Sequence, residues 1–354
     1  MIGSWATVKA KDLKELLEQF NNVVKVEPLR PVTSFVEMFC TNGVFRIGCT
    51  NGYIKVVGTL LDNKELANVV LDRTQLLKLL KLTTKENITL TKKDSYVEFK
   101  GNGKYKLEIQ KDELGGDIAL NLAMPKLENG IYYEIEEIKD IFNRNSIAVF
   151  DGDDHEQFKQ YYSSNGIVVT TDSNVVCTTN GTLPAKGMSK DLMQMISKLP
   201  NNFSFAQVEQ GVRINCEDME IYVMQDAIDE FPIEMVSPFC STSIFDSKIT
   251  IDKSELMQAI KRQDLFIKSW QNYACLLTLE DNHVIITNED KNVEEDIECT
   301  VEGNKYSRLV FSTTKALSIL RTLNPTITLY ACDKCLGFQD SQSLYVLSLM
   351  EVGN

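Results

Sequence analysis

The stretch SKDLMQMISKLPNNFSFAQVEQGVRINCEDMEIYVM, Ser189–Met224, reads as a short helix, a break, and two alternating strands joined by a turn. The same order of signals occurs in DRTQLLKLLKLTTKENITLTKKDSYVEFKGNGKYKLEI, Asp72–Ile109, and in STTKALSILRTLNPTITLYACDKCLGFQDSQSLYVLSL, Ser312–Leu349. In each copy a polar N-cap candidate (Asp72, Ser189, Thr313) precedes an apolar stripe at helical spacing. The stripes are Leu76, Leu77, Leu79, Leu80; Leu192, Met193, Met195, Ile196; and Ala316, Leu317, Ile319, Leu320. The copies start close to one third of the chain apart, which is the mark of a repeated module.

A second segment repeats in the same phase. FCTNGVFRIGCTNGYIKVVGTL, ending at Leu60, aligns with YSSNGIVVTTDSNVVCTTNGTL, ending at Leu183, so that Asn42-Gly43 and Asn165-Gly166 are 123 residues apart, as are Gly58 and Gly181. Asn-Gly between apolar runs predicts a hairpin. Upstream of each strand series lies another amphipathic helix, marked by Leu13, Leu16, Leu17, Phe20; by Ile135, Ile138, Phe142; and by Leu256, Ala259, Ile260. Each third therefore reads helix, strands, helix, strands, an α+β unit with two helices on an antiparallel sheet. The expected domains are residues 1–124, 125–242 and 243–354.

The 354 residues, 43% hydrophobic and 25% charged with only 8 Pro, suit a folded globular protein of two or three domains. The nine Cys are odd in number and scattered, which suits reduced thiols better than a disulfide framework. Neither a signal peptide nor an apolar run of membrane-spanning length is visible, so a soluble cytoplasmic protein is expected.

The formal charge is −13, which in bulk repels phosphate. The six helix candidates nevertheless sum to +5 and the rest of the chain to −18. Cationic residues lie opposite the apolar stripes or near helix ends: Lys9 and Lys11, Lys78 and Lys81, Lys190 and Lys198, Lys261 and Arg262, and Arg321. Helix 134–144 is net acidic, with Arg144 and Lys139 its only cations. Helices turned toward a common axis would offer phosphate a cationic lining that reads no sequence.

The order and spacing of QYYSSNGIVVTTDSNVVCTTNG, KGMSKDLMQMISKL, DAIDEFPIEM and FSTTKALSILRTLNPTITLYACDKCLGFQDSQSLYVLSLM resemble the bacterial sliding clamp, the β subunit of DNA polymerase III, or a phage-encoded relative. The resemblance spans essentially the whole chain and is weakest in the first third. It implies a head-to-tail dimer of three-domain protomers, a ring that encircles duplex DNA and tethers the replicative polymerase, clamp loader and repair proteins without catalysing a reaction. Tyr161 and Tyr162 match tyrosines near the DNA path of that family. At the ring joint the resemblance places Leu80, Tyr105 and Leu107 against Leu265 and Phe266, with Lys104 and Lys106 facing Glu294, Glu295, Asp296 and Glu298. For partner docking it implies an apolar groove that accepts short Gln- and Leu-containing peptides. Its wall would comprise Thr171, Asp172, Ser173, Asn174, Val175, Val176, Pro232, Met235, Val236, Val346, Leu347, Leu349 and Met350. The chain departs from the family at Ser173-Asn174-Val175, where many clamps have Gly-His-Arg.

No phosphate-cradle motif, nucleophile elbow or zinc-type cysteine set occurs, and no cofactor is expected. Cys332-x-x-Cys335 stands alone at an expected hairpin turn, and Asp151, Asp153 and Asp154 lack the other ligands of a calcium loop. Two other readings remain at this level: a non-ring scaffold that binds peptides but no DNA, and a metal-dependent hydrolase built on the three aspartates.

Overall fold

The computed structural model describes residues 5–41, 43–60, 68–225, 229–267 and 274–350. They form two compact units, residues 1–136 with 194–227, and residues 137–193 with 228–354. All six predicted helices are present: α1 Ala10–Val23, α2 Arg73–Lys81, α3 Ile135–Asn145, α4 Lys190–Ile196, α6 Lys253–Asp264 and α7 Thr313–Thr322. The described residues add a short helix, α5 Ile233–Val236, and brief helical turns such as Ser237–Cys240 that the sequence reading did not include.

Caps explain where the helices begin. The Asp72 carboxylate accepts the Gln75 N–H at 2.7 Å, and the Ser189 hydroxyl accepts the Leu192 N–H at 3.3 Å. For α7 the cap is Ser312, which takes the Lys315 N–H at 3.4 Å, and not Thr313. Thr313 is fully buried and gives its hydroxyl proton to Asp264 at 2.9 Å.

In the first unit, the strands Trp5–Lys9, Asn87–Lys92, Tyr96–Lys100 and Lys104–Glu108 form one antiparallel sheet in that order. A larger sheet runs Val69–Asp72, Phe35–Thr41, Val44–Thr50, Ile54–Leu60, Met219–Met224, Gly211–Cys216, Phe203–Val208, Ile131–Tyr133. Strands from the first and second thirds meet there, with Gly58 opposite Met219 and Ile54 opposite Val223. Helices α1 and α2 pack together, and α1 lies on Ile54–Leu60.

The second unit repeats the plan. One sheet runs Glu294–Glu298, His283–Asn288, Ala274–Leu279, Leu309–Ser312. The other has nine strands, among which Val175–Asn180 pairs with Ser343–Ser348 and so joins the second and last thirds. Helices α6 and α7 pack on each other over a core that includes Leu256, Ile260, Phe311, Leu320 and Phe338.

The repeated glycines mark where helix meets sheet. A Cβ on Gly58 would overlap Leu16 of α1, and one on Gly181 would come within 2.8 Å of Ile141 of α3. Asn165 and Gly166 have φ of 53° and 78°, the left-handed pair of a two-residue hairpin turn. Asn42 lies outside the described residues, while its neighbour Gly43 has φ of 76°.

Candidate functional site

Three surfaces are built by this scaffold. The first is cationic. Lys9, Lys78, Lys198 and Arg321 are exposed and Lys261 half-exposed, and among the described residues none of these five is ion-paired. Lys11 lies 3.7 Å from Glu15, and Lys81 lies 3.4 Å from Glu18; both pairs are solvent-exposed and exchange readily with water or another anion. In the first unit Lys11, Lys78 and Lys81 sit on the adjacent helices α1 and α2, with Lys9 just before α1 and Lys198 just after α4; in the second Lys261 and Arg321 sit on α6 and α7.

Five residues expected on this surface are otherwise engaged. The Arg144 side chain is 8% exposed and bonded to Asp140 and Asp340. Tyr161 is fully buried and stacked on Phe142, its phenol pKa raised by burial. Tyr162 stacks on Phe231 with ring centroids 5.1 Å apart, so neither tyrosine offers a face to a base. Arg262 makes two 2.7 Å bonds to Glu295, which hold the Glu295 carboxyl below its ordinary range. Lys190 pairs with Asp151 and lowers that carboxyl's pKa, giving the aspartate a surface salt bridge as its role.

The second surface is a pair of sheet edges. Lys104–Glu108 ends its sheet, with Lys104, Tyr105 and Lys106 exposed and only Leu107 turned inward. Tyr105 rests edge-on against Phe99, and Lys106 lies 4.9 Å above the Tyr96 ring. Glu294–Glu298 ends the corresponding sheet, with Glu294, Asp296 and Glu298 exposed and Ile297 inward. Leu265 and Phe266, at 80% and 51% exposure, project just beyond α6. Leu80 and Leu107 are 2% and 4% exposed, so they belong to their own core and not to a contact surface.

The third surface centres on Val176. This half-buried side chain packs against one cluster of Phe158, Tyr162, Val169, Phe231 and Val236, and against a second of Cys332, Cys335, Leu344 and Val346. The turn Ser237–Cys240 packs on the strands carrying Val176 and Val346. Met235 and Phe239 stand at the rim, 72% and 38% exposed, beside half-buried Pro232. Ser173 and Asn174 are exposed, and Leu349 and Met350 half-buried.

Strand alternation divides the expected groove residues into two faces. Val176 is paired with Val346 and faces the two clusters just named, whereas its neighbour Val175 is paired with Leu347 and faces the core. Val175 and Leu347, each 1% exposed, therefore belong to the core and do not line the expected groove. Thr171 is likewise buried, and Val236 is 6% exposed within its cluster. Asp172 folds the turn by accepting the Asn174 and Val175 N–H groups, and its other oxygen binds Lys315 of α7.

No protein-family model and no curated protein matches this sequence. Solved structures do match. A DNA polymerase sliding clamp from Bacillus subtilis superposes with a TM-score of 0.82 at 13% identity, covering 99% of this chain and 100% of that one. A Bartonella birtlesii sliding clamp bound to griselimycin gives 0.82 at 16% identity with the same coverage. The DNA polymerase III β subunit of Thermotoga maritima gives 0.79 at 14%, again over 99% and 100% of the two chains. The chain has the sliding-clamp fold.

Within the clamp fold the residues that sequence reasoning missed are Ile233, Phe239, Cys240, Ile244 and Phe245, which pack on or rim the groove clusters. Ile233 lies in DAIDEFPIEM but went unassigned, and the signal of the other four is faint because SPFCSTSIF carries no helical or strand period.

Proposed function

We propose that the protein is a DNA polymerase processivity factor in which two copies close head to tail around duplex DNA. In this reading the three modules are residues 1–124, 125–242 and 243–354, with sheets running across both junctions. The mechanism is topological: a closed ring cannot leave DNA sideways, while individual lysine–phosphate contacts exchange fast enough for sliding. No step requires a catalytic group.

The observation that carries the reading is the complementarity of the two free sheet edges. Lys104–Glu108 offers two outward lysines, and Glu294–Glu298 offers outward Glu294, Asp296 and Glu298. Exposed strand edges with unpaired backbone groups seek another strand. Joining one edge to the other across two copies pairs the backbones, sets the direction by charge, and leaves neither of these two edges open. The exposed Leu265 and Phe266 would supply apolar area beside the joint. The cations on α1, α2, α6 and α7 would face the duplex. The Val176 groove would take a short apolar segment from the polymerase, the clamp loader or a repair protein.

Loading the protein onto nicked circular DNA and then linearising it tests this directly. Retention on the circle followed by escape from the linear form supports encirclement. A persistent monomer near 40.1 kDa at micromolar concentration, with peptide binding but no DNA retention, would replace the ring with a simple scaffold.

A further inference from the structure

Cys332 and Cys335 flank the two-residue turn Asp333-Lys334, and their sulfur atoms lie 3.2 Å apart. The Cys332 N–H donates to the Cys335 carbonyl at 3.0 Å, so the turn is already closed. Hydrogen-bonded antiparallel partners have Cα atoms about 5.5 Å apart, inside the span of about 4.4–6.8 Å that a disulfide bridges. The sulfurs need only approach from 3.2 Å to the bond length of about 2.05 Å.

The pair lies against the groove. Both sulfur-bearing side chains pack with Leu344 and Val346, and Val176, Ile244 and Phe245 lie on the same cluster. The turn is also tied to the chain's last described residues: the Lys334 carbonyl accepts the Leu349 N–H at 2.9 Å, and Cys335 is paired with Ser348.

We propose that Cys332 and Cys335 are a modification site, closing to a reversible disulfide under a small-molecule disulfide oxidant, and that closure reshapes the Val176 groove. The second half rests on the groove reading above. Cys332, at 7% exposure against 3% for Cys335, is the entry sulfur. Its thiolate attacks one sulfur of the oxidant and expels a first small thiolate. The Cys335 thiolate then attacks Cys332 Sγ and expels the second. The two cysteine protons end on the two released thiols, so one disulfide is reduced as one is formed. Burial, and the hydrogen bond that the Cys335 thiol makes with Cys332, raise the Cys335 thiol pKa, which makes closure slow and faster at alkaline pH.

The intact protein is incubated with oxidised glutathione, alkylated under native-to-denaturing transfer, and digested with trypsin. Lys334 lies between the two cysteines, so cleavage there separates residues 322–334 from 335–354 unless a disulfide links them. A linked species that forms with oxidant, disappears with dithiothreitol and is absent in Cys335→Ser supports the site. Two separate peptides, alkylated or glutathionylated, overturn it. A fluorescein-labelled Gln- and Leu-containing pentapeptide reads the groove, with an expected threefold or greater difference in affinity between reduced and oxidised protein. Equal affinities with the link formed overturn the coupling to the groove. No peptide binding in either state, with the link formed, counts against the groove reading and upholds the disulfide.

Discussion

The Arg144 guanidinium donates through Nη1 to Oδ2 of Asp340 at 2.9 Å, joining positions 196 residues apart. Arg144 lies in the last turn of α3, and Asp340 folds the hairpin turn before Ser343–Ser348 by accepting the Gln342 and Ser343 N–H groups at 2.8 and 2.7 Å. The opposite end of the same seam carries the reciprocal contact, Lys315 of α7 bound to Asp172 in the turn before Val175–Asn180. Each turn at the Val175–Asn180 and Ser343–Ser348 junction is thus pinned by a cation from a helix.

Arg144→Ala leaves a carboxylate with no side-chain exposure unpaired, and breaking a buried pair in this way costs about 3–5 kcal/mol. Urea denaturation should show that loss. The double variant Arg144→Met with Asp340→Asn should recover part of it. A loss below about 1 kcal/mol, the scale of an exposed pair, would mean that Arg144 is not structural.

Burial alone would raise the Asp340 carboxyl, but the N–H groups of Asn324, Gln342 and Ser343 and the Arg144 guanidinium outweigh it and hold the group below its ordinary value. A depressed folded pKa contributes stability that is fully present above the unfolded value of about 3.9 and is lost as pH falls through the folded one. The melting temperature should therefore hold between about pH 7 and 5 and fall below about pH 4. Asp340→Asn should start lower at neutral pH and lose less on acidification.

Lys78 and Lys261 lie on helices of different units and carry no internal ion pair among the described residues. Replacing both with Ala removes four lysines from the two-copy ring and should lower the slope of log affinity against log salt on nicked circular DNA by about 3.6, at about 0.9 per phosphate contact. Sedimentation should show the dimer intact. An unchanged slope would remove these helices from the DNA-facing surface.

Lys104→Glu with Lys106→Glu should weaken self-association, and mixing that variant with Glu294→Lys, Glu298→Lys protein should restore it in the mixed dimer. Analytical ultracentrifugation distinguishes this from a joint that ignores the edge charges, for which neither variant would differ from the parent.

At the groove, Val176→Asp should abolish peptide binding while the core-facing Val175 keeps the sheet intact. Phe239→Ala, at the rim, should lower affinity by about tenfold, equivalent to about 1.4 kcal/mol. Fluorescence anisotropy measures both.

The helices, hairpins and their triplication were legible because they rest on interactions within a few residues. Leu76, Leu77 and Leu80 share a helix face whatever the rest of the chain does, and Asn165-Gly166 takes left-handed angles by itself. Only the tertiary structure decided which charges and apolar side chains remain available. Arg144 could be assigned to DNA only while Asp340 was out of sight, and Arg262 only while Glu295 was. Along a buried strand successive side chains alternate between faces, so the sequence VV at 175–176 cannot say which valine meets the core and which the groove. Pairing with Ser343–Ser348, more than 160 residues away, makes that choice by setting one register, and burial follows from it.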